Sequence, residues 1–212
     1  MKRIDLVQAI DLIQDGMTIM VGGFMGVGAP NRFIEALAKA GKKNLTMICN
    51  DTAMPDKGSG ILVANHLVKK VITSHIGTNP ISGELMLSGE MEVELVPQGT
   101  LIERIRSAGA GLGGVLTQTG LGTIVQEGKQ IINIDGKDFL LEKPLKADVA
   151  LIGASVADKY GNLLYRGTSK NFNPMIAMAA DIVIADCSEE IGVIEPHNVA
   201  TPYIFVDYLI KY

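Results

Sequence analysis

Short apolar runs alternate along this chain with longer stretches in which apolar residues recur three and four apart. Residues 17–21 (MTIMV), 45–49 (LTMIC), 70–73 (KVIT), 93–96 (VELV), 148–152 (DVALI) and 181–184 (DIVI) are nearly continuous in hydrophobicity. Such runs predict strands covered on both faces, as in a parallel sheet. In residues 31–40 (NRFIEALAKA), Phe33, Ile34, Leu37 and Ala38 share one helical face, and Gly41 suits a helix C-terminal cap. Residues 1–16 show an amphipathic helix pattern interrupted by Asp5 and Asp11. The predicted fold class is α/β: a mostly parallel open sheet with helices on both faces, in a single domain over residues 1–212. Residues 130–142 depart from this pattern. There Asp135-Gly136 sits between two apolar runs, a two-residue turn signal for an embedded antiparallel hairpin.

Composition narrows the function classes. The chain has 212 residues, 47% hydrophobic and 20% charged, enough to bury a sizeable core. Its net charge is -4, with basic residues scattered or in short pairs, so no nucleic-acid partner is expected. Two cysteines, Cys49 and Cys187, form no CxxC pair, and no metal-ligand cluster is visible. A reducing, cytoplasmic location is expected. The charge-free stretch 107–126 is interrupted by glycine and polar residues, so no membrane span is expected.

In a parallel sheet, ligands bind beyond the carboxyl ends of the strands. Three such ends carry chemistry. After the first run comes Gly22-Gly23-Phe24-Met25-Gly26-Val27-Gly28, and Pro30 opens a helix. Glycines admit close backbone approach, and a helix start offers free N–H groups to a carboxylate, phosphate or oxyanion. The second end presents Asn50 and Asp51, residues equally suited to a turn or cap. At the third, Pro97 stops a strand and Gln98 stands exposed, with Thr100 and Glu103 spaced as a capping box. A carboxamide there can bond a carboxylate or carbonyl without changing charge. Glu103, Arg104 and Arg106 read as a solvated face.

Residues 109–114 (GAGLGG) fit the letter pattern of a dinucleotide loop, but that loop must follow a strand and open a helix. Here a helical segment precedes it and a Gly/Thr-rich loop follows. Gly109 and Gly111 are instead expected to line a mobile wall of the acyl site described next. His66, His75 and His197 stand apart, Ser59, Ser74 and Ser88 lie in no nucleophile elbow, and Cys49 is expected buried and inert.

The strand ends together resemble the family I coenzyme A transferases. The stretch from Asp15-Gly16 through Ile19-Met20-Val21-Gly22-Gly23-Phe24 to Gly28 and Pro30 is similar to one signature of that family. Residues 97–111, beginning Pro97-Gln98-Gly99-Thr100-Leu101, are similar to a second, and Asn171-Phe172-Asn173-Pro174 with Asp181 to a third. The resemblance is to alpha subunits acting on short-chain acyl groups, and implies the α/β fold shared with sugar-phosphate isomerases. It implies transfer of coenzyme A from an acyl-CoA to a short-chain carboxylic acid by a ping-pong route, with CoA as substrate and no permanent cofactor. The nucleophilic glutamate of that family lies in a Ser-Glu-Asn-Gly motif on a beta subunit. This chain lacks the motif, and Glu84, Glu90 and Glu189 do not stand in it, so no catalytic residue is expected here. The resemblance therefore implies an α2β2 partner and half a site: the loop 22–28 toward CoA, and Asn50, Gln98 and Phe24 toward the acyl group. Thr201-Pro202-Tyr203 departs from the family's usual Thr-Pro-Gly near the end. An isomerase or deaminase of sugar phosphates, or an effector-binding module, are the competing readings of the same fold.

Overall fold

Apolar side chains at every position of a strand demand cover above and below, and the chain supplies it from helices between the strands. The computed structural model describes residues 1–211. The first half runs β1 (Lys2–Ile4), α1 (Leu6–Asp11), β2 (Thr18–Val21), α2 (Asn31–Ala40), β3 (Leu45–Cys49), α3 (Gly60–Ala64), β4 (Val68–Thr73), α4 (Pro80–Ser88), β5 (Glu92–Leu95) and α5 (Gln98–Gly109). The second half carries β6 (Val115–Thr117), β7 (Ile131–Ile134), β8 (Lys137–Glu142), β9 (Ala147–Ala154), β10 (Val156–Asp158) and β11 (Leu163–Leu164). It ends with α6 (Asn173–Ile176), β12 (Ala180–Cys187), β13 (Glu190–Ile191) and β14 (Tyr208–Ile210).

Eight strands form one sheet in the order β1-β14-β12-β9-β2-β3-β4-β5. Every neighbouring pair in it is parallel. Successive residues point to opposite faces. Ile19, Val21, Met47, Val149 and Leu151 pack with Phe33, Leu37 and Leu62 of α2 and α3 on one face. Met20, Ile48, Ala150 and Ile152 pack with Leu101, Ile105 and Ile176 of α5 and α6 on the other. The chain leaves β2 toward β3 and leaves β9 toward β12, in opposite directions, so the loops after β2 and β9 part and open a crevice.

The expected fold class holds, with local differences. The N-terminal pattern is split: residues 2–4 pair with β14, and α1 is only six residues, closed at its start by a reciprocal Asp5–Gln8 capping box. Asp135 and Gly136 both take positive φ and join β7 to β8 as the turn signal predicts. This ribbon lies in a separate sheet, where β6, read above as loop, adds a third strand beside β8. Gly41 takes the left-handed conformation that ends α2. Tyr203 begins a short 3-10 turn after Pro202, exposed, with its N–H bonded to Asn162 Oδ1 at 2.9 Å.

A buried carboxylate ties the second half together. Asp158 is fully buried and accepts from the N–H groups of Tyr160, Gly161, Asn162 and Ile194 and from Asn162 Nδ2, at 2.9–3.2 Å. Burial pushes its carboxyl up, but these donors outweigh burial and hold it below the usual carboxylate range. A depressed folded-state value means that its stabilisation is present at neutral pH and disappears as pH falls through that value. Asp158→Asn should therefore cost about 1–3 kcal/mol at pH 7. In thermal melts its deficit relative to the parent should shrink below pH 4, and an equal deficit at every pH would contradict this account.

Candidate functional site

The sheet's carboxyl edge gathers the polar side chains that its faces exclude. At the end of β3, Asn50 and Asp51 are buried, at 2% and 4% exposure, with Thr52. Asp51 accepts from Met25 N–H at 3.1 Å, Ala53 N–H at 2.7 Å and Asn50 Nδ2 at 2.8 Å. Asn50 Oδ1 in turn accepts from Gln98 Nε2, and Gln98 Oε1 accepts from the Ser74 hydroxyl. Ser74, just past β4, also reaches the Asn50 carbonyl at 2.6 Å, so its one proton stands between two acceptors. Asp51, Asn50, Gln98 and Ser74 thus form one hydrogen-bonded chain across the ends of β3, β4 and β5.

Gln98 is the exposed member of this chain, lying over buried Asn50. It is the first residue of α5, which begins after Pro97 without a side-chain cap. The first helical bond found runs from Leu101 N–H to the Pro97 carbonyl at 2.8 Å, and first-turn N–H groups of a helix have no partner within it. An exposed carboxamide with one Nε2 hydrogen uncommitted and the positive end of a twelve-residue helix therefore share one spot, an arrangement that favours a carboxylate or oxyanion. The expected capping box is not formed. Thr100 is buried as the third residue of the helix, and Glu103 pairs with Arg106 at 2.6 Å. Arg104 is also not on a solvated face: it is 12% exposed and bonds Glu94 at 3.0 Å and the Lys143 carbonyl at 2.9 Å.

The loop after β2 is a tight turn carried on a packed base. Phe24 and Val27 exchange both backbone hydrogen bonds, at 3.0 and 2.9 Å, around Met25 and Gly26, each at positive φ. Phe24 and Val27 are about half exposed at its tip, with Met54 nearby on the turn that packs against Gly26 through Lys57 and Gly58. The base is held by two asparagines to which sequence reasoning assigned no role. Asn171 Oδ1 accepts from Gly23 N–H at 3.1 Å, and its Nδ2 donates to the Val27 carbonyl at 3.0 Å. Asn173, fully buried, donates to the carbonyls of Gly28 and Ser169 and accepts from Gly153 N–H. Side chains at Gly22 and Gly28 would overlap Asn173 and the Ser169 carbonyl. At these two positions the close approach that needs glycine is to the chain's own backbone and amides. The signal was present as the spacing Asn-x-Asn in 171–173, without a hint of its target.

Gly109 and Gly111 are not brought to this cluster. Gly109 closes α5, roughly 16 Å from Gln98 at 1.5 Å per residue. It abuts Met178, just before β12, at the opposite edge of the sheet, and Gly111 faces open space. The expected wall thus stands apart from the cluster at Gln98. Beside the loop, at the crevice between β2 and β9, lies a cavity of about 320 Å³ lined by Gly28, Asn31, Arg32, Ser155, Asp186 and Ser188, among others. Arg32 and Asp186 pair across it at 2.7 Å, and burial pushes the Asp186 carboxyl up against the pull of that pair. Cys49, one residue before Asn50, points into the face covered by α2 and α3, and burial pushes its thiol up to about 12. No group of His, Cys, Asp and Glu among the described residues could hold a metal. No helix among them is long and apolar enough to cross a membrane.

Residues 3–212 match the family model described as coenzyme A transferase. The chain is 56% identical over 211 residues to the acetate CoA-transferase subunit alpha of Escherichia coli K12, covering 99% of this chain and 96% of that one. It is 51% identical over 200 residues to the acetoacetyl-CoA:acetate/butyrate CoA transferase alpha subunit of Clostridium acetobutylicum, covering 93% and 92%. An acyl-CoA transferase of E. coli O157:H7, solved as a thioester complex with CoA, shares the fold with a TM-score of 0.86 at 24% identity. That match covers 98% of this chain, which spans about half (46%) of the length of that transferase.

A matched pair of glycines tests the packed base. Gly28 and Gly122 have nearly the same φ, +74° and +73°, but only Gly28 has neighbours where a Cβ would go. Gly122→Ala should cost about 1 kcal/mol of conformational strain. Gly28→Ala should cost clearly more in denaturant titrations and speed hydrogen exchange at the Gly23 and Val27 amides. Equal costs would show that the contacts to Ser169 and Asn171 hold nothing in place.

Proposed function

Since the chain belongs to the coenzyme A transferase family, we propose that it is the alpha subunit of a short-chain acyl-CoA:carboxylate CoA-transferase. The acyl groups are acetate, butyrate or acetoacetate, and the partner is a beta subunit, in an α2β2 assembly. The proposed location is the cytoplasm, consistent with two buried, unpaired cysteines. Family membership sets aside the sugar-phosphate isomerase and effector-module readings.

One observation carries the half-site reading: the cluster at Gln98 offers donors and an amide, while its one carboxylate, Asp51, is committed elsewhere. Asp51 is 4% exposed, and three N–H donors occupy its oxygens. A carboxylate so held cannot attack a thioester. The nucleophilic glutamate then comes from the beta subunit. Its attack gives an acyl–glutamyl anhydride and CoA thiolate; the thiolate returns to the glutamyl carbonyl, releases the carboxylic acid and leaves a glutamyl–CoA thioester. The acceptor acid reverses both steps.

The role of this chain is to bind and orient. Gln98 Nε2–H and the α5 N-terminus meet the carboxylate or developing oxyanion, where fixed donors stabilise the transition state. Asn50, beneath Gln98, holds that amide in place. Phe24 and the turn tip at Met25, Gly26 and Val27 present an apolar edge toward the acyl group and CoA, on the base formed by Gly22, Gly23 and Gly28.

Transfer from acetoacetyl-CoA to acetate should require both subunits, and robust turnover by the purified alpha chain would sink the half-site reading. In the reconstituted complex, Gln98→Ala should lower kcat/KM by about 1–3 kcal/mol, the scale of one polar contact. An unchanged kcat/KM would remove Gln98 from the substrate contacts.

A further inference from the structure

The hydrogen-bonded chain has a direction, and its Asp51 end sets it; the Ser74 hydroxyl, able to donate or accept, holds the Gln98 oxygen once that direction is set. A carboxylate only accepts, so Asn50 must turn its Nδ2 toward Asp51 and its Oδ1 toward Gln98. Asn50 Oδ1 likewise accepts, so Gln98 must present Nε2 to it, which leaves Oε1 facing the Ser74 hydroxyl. Each Nε2 carries two hydrogens, and one is used. The hydrogen left over points from an exposed residue at the start of α5. Without the Asp51 end, a carboxamide is nearly symmetric in shape and could present oxygen where nitrogen now stands.

We infer that Asp51 and Ser74 are positioning residues that fix the Gln98 amide with its N–H, and not its oxygen, toward the substrate carboxyl. The inference rests on the reading of Gln98 as the group that meets that carboxyl. It goes beyond it by naming two residues that touch no substrate and still decide its recognition. Asp51 does a second thing with the same carboxylate. Its bond to Met25 N–H joins the amide chain to the turn at residues 24–27, so the donor and the apolar edge are set by one buried anchor. No neighbour at the end of β3 could do this: Cys49 points into the opposite face, and Thr52 is fully buried, its hydroxyl bonded by Ser82.

The test is a pair of double-mutant cycles in the reconstituted alpha–beta complex, assayed with acetoacetyl-CoA and acetate. Asp51→Asn and Ser74→Ala should each lower kcat/KM for acetate by roughly 10-fold, the loss of about one polar contact. The loss should fall in kcat more than in the KM for acetoacetyl-CoA. Ser74→Ala should add less than about 3-fold to the loss caused by Gln98→Ala alone, since a lost amide no longer needs orienting, whereas Asp51→Asn should keep the part of its loss that comes from the turn at residues 24–27. Multiplicative losses for Ser74→Ala with Gln98→Ala would overturn the inference while leaving the reading of Gln98 intact. A silent Gln98→Ala overturns both. If Asp51→Asn does not assemble with its partner, the Ser74 cycle decides alone, because Ser74 is partly exposed and its removal empties no core position.

Discussion

A parallel sheet covered on both faces leaves polar side chains nowhere to go except past the ends of its strands. That constraint organises this molecule. Every pairing in the eight-stranded sheet is parallel, so all its carboxyl ends lie on one edge. Asn50, Ser74 and Gln98 follow three successive strands and meet because those strands are neighbours. The crevice beside β2 and β9 follows from the same topology, as the chain departs in opposite directions there. Layers of Leu, Ile, Val and Met hold the strands; the edge is where that apolar packing stops and hydrogen bonding takes over.

The buried carboxylates of this fold are few and shared. Asp51 gathers three donors and Asp158 five, while Glu142, at 1% exposure, receives Lys129 at 2.6 Å. Each carboxylate joins segments far apart in sequence, and none is left without compensation, as burial of charge requires. The loop after β2 follows the same rule with neutral groups. Its glycines let two asparagine amides reach backbone that a side chain would shield.

Much of this was legible in the letters. Five of the six apolar runs match strands with a neighbour on each side, because a strand buried on both faces shows its pattern without a partner; the sixth, residues 93–96, falls on the edge strand β5. The edge strand β1 and its neighbour β14, three residues each, carry too little pattern, and β1 was absorbed into a helix reading. The hairpin was visible from Asp135-Gly136, but its third strand, β6, was hidden behind glycines. Gln98 and Asn50 were legible as polar residues at strand ends. Their bonding to each other was not, since residues 48 apart meet only through sheet order. Thr100 and Glu103 had the spacing of a capping box, yet the helix starts at Gln98, which turns Thr100 inward. Gly109 and Gly111 stood close to Gln98 in sequence, and a helix of twelve residues carries them to the far edge.

Cys49 lies one residue from the amide chain, and its neighbourhood bears on the chemistry proposed for that edge. Any free thiolate near an acyl-CoA is a rival acceptor: transthioesterification would strand the acyl group on the protein. The strand's alternation turns Asn50 and Cys49 to different surroundings, and the sulfur is enclosed at 3% exposure, with a thiol pushed up to about 12. At neutral pH it stays protonated and out of reach. The pleat that supplies one residue for recognition thus also insulates the neighbouring sulfur from acyl capture.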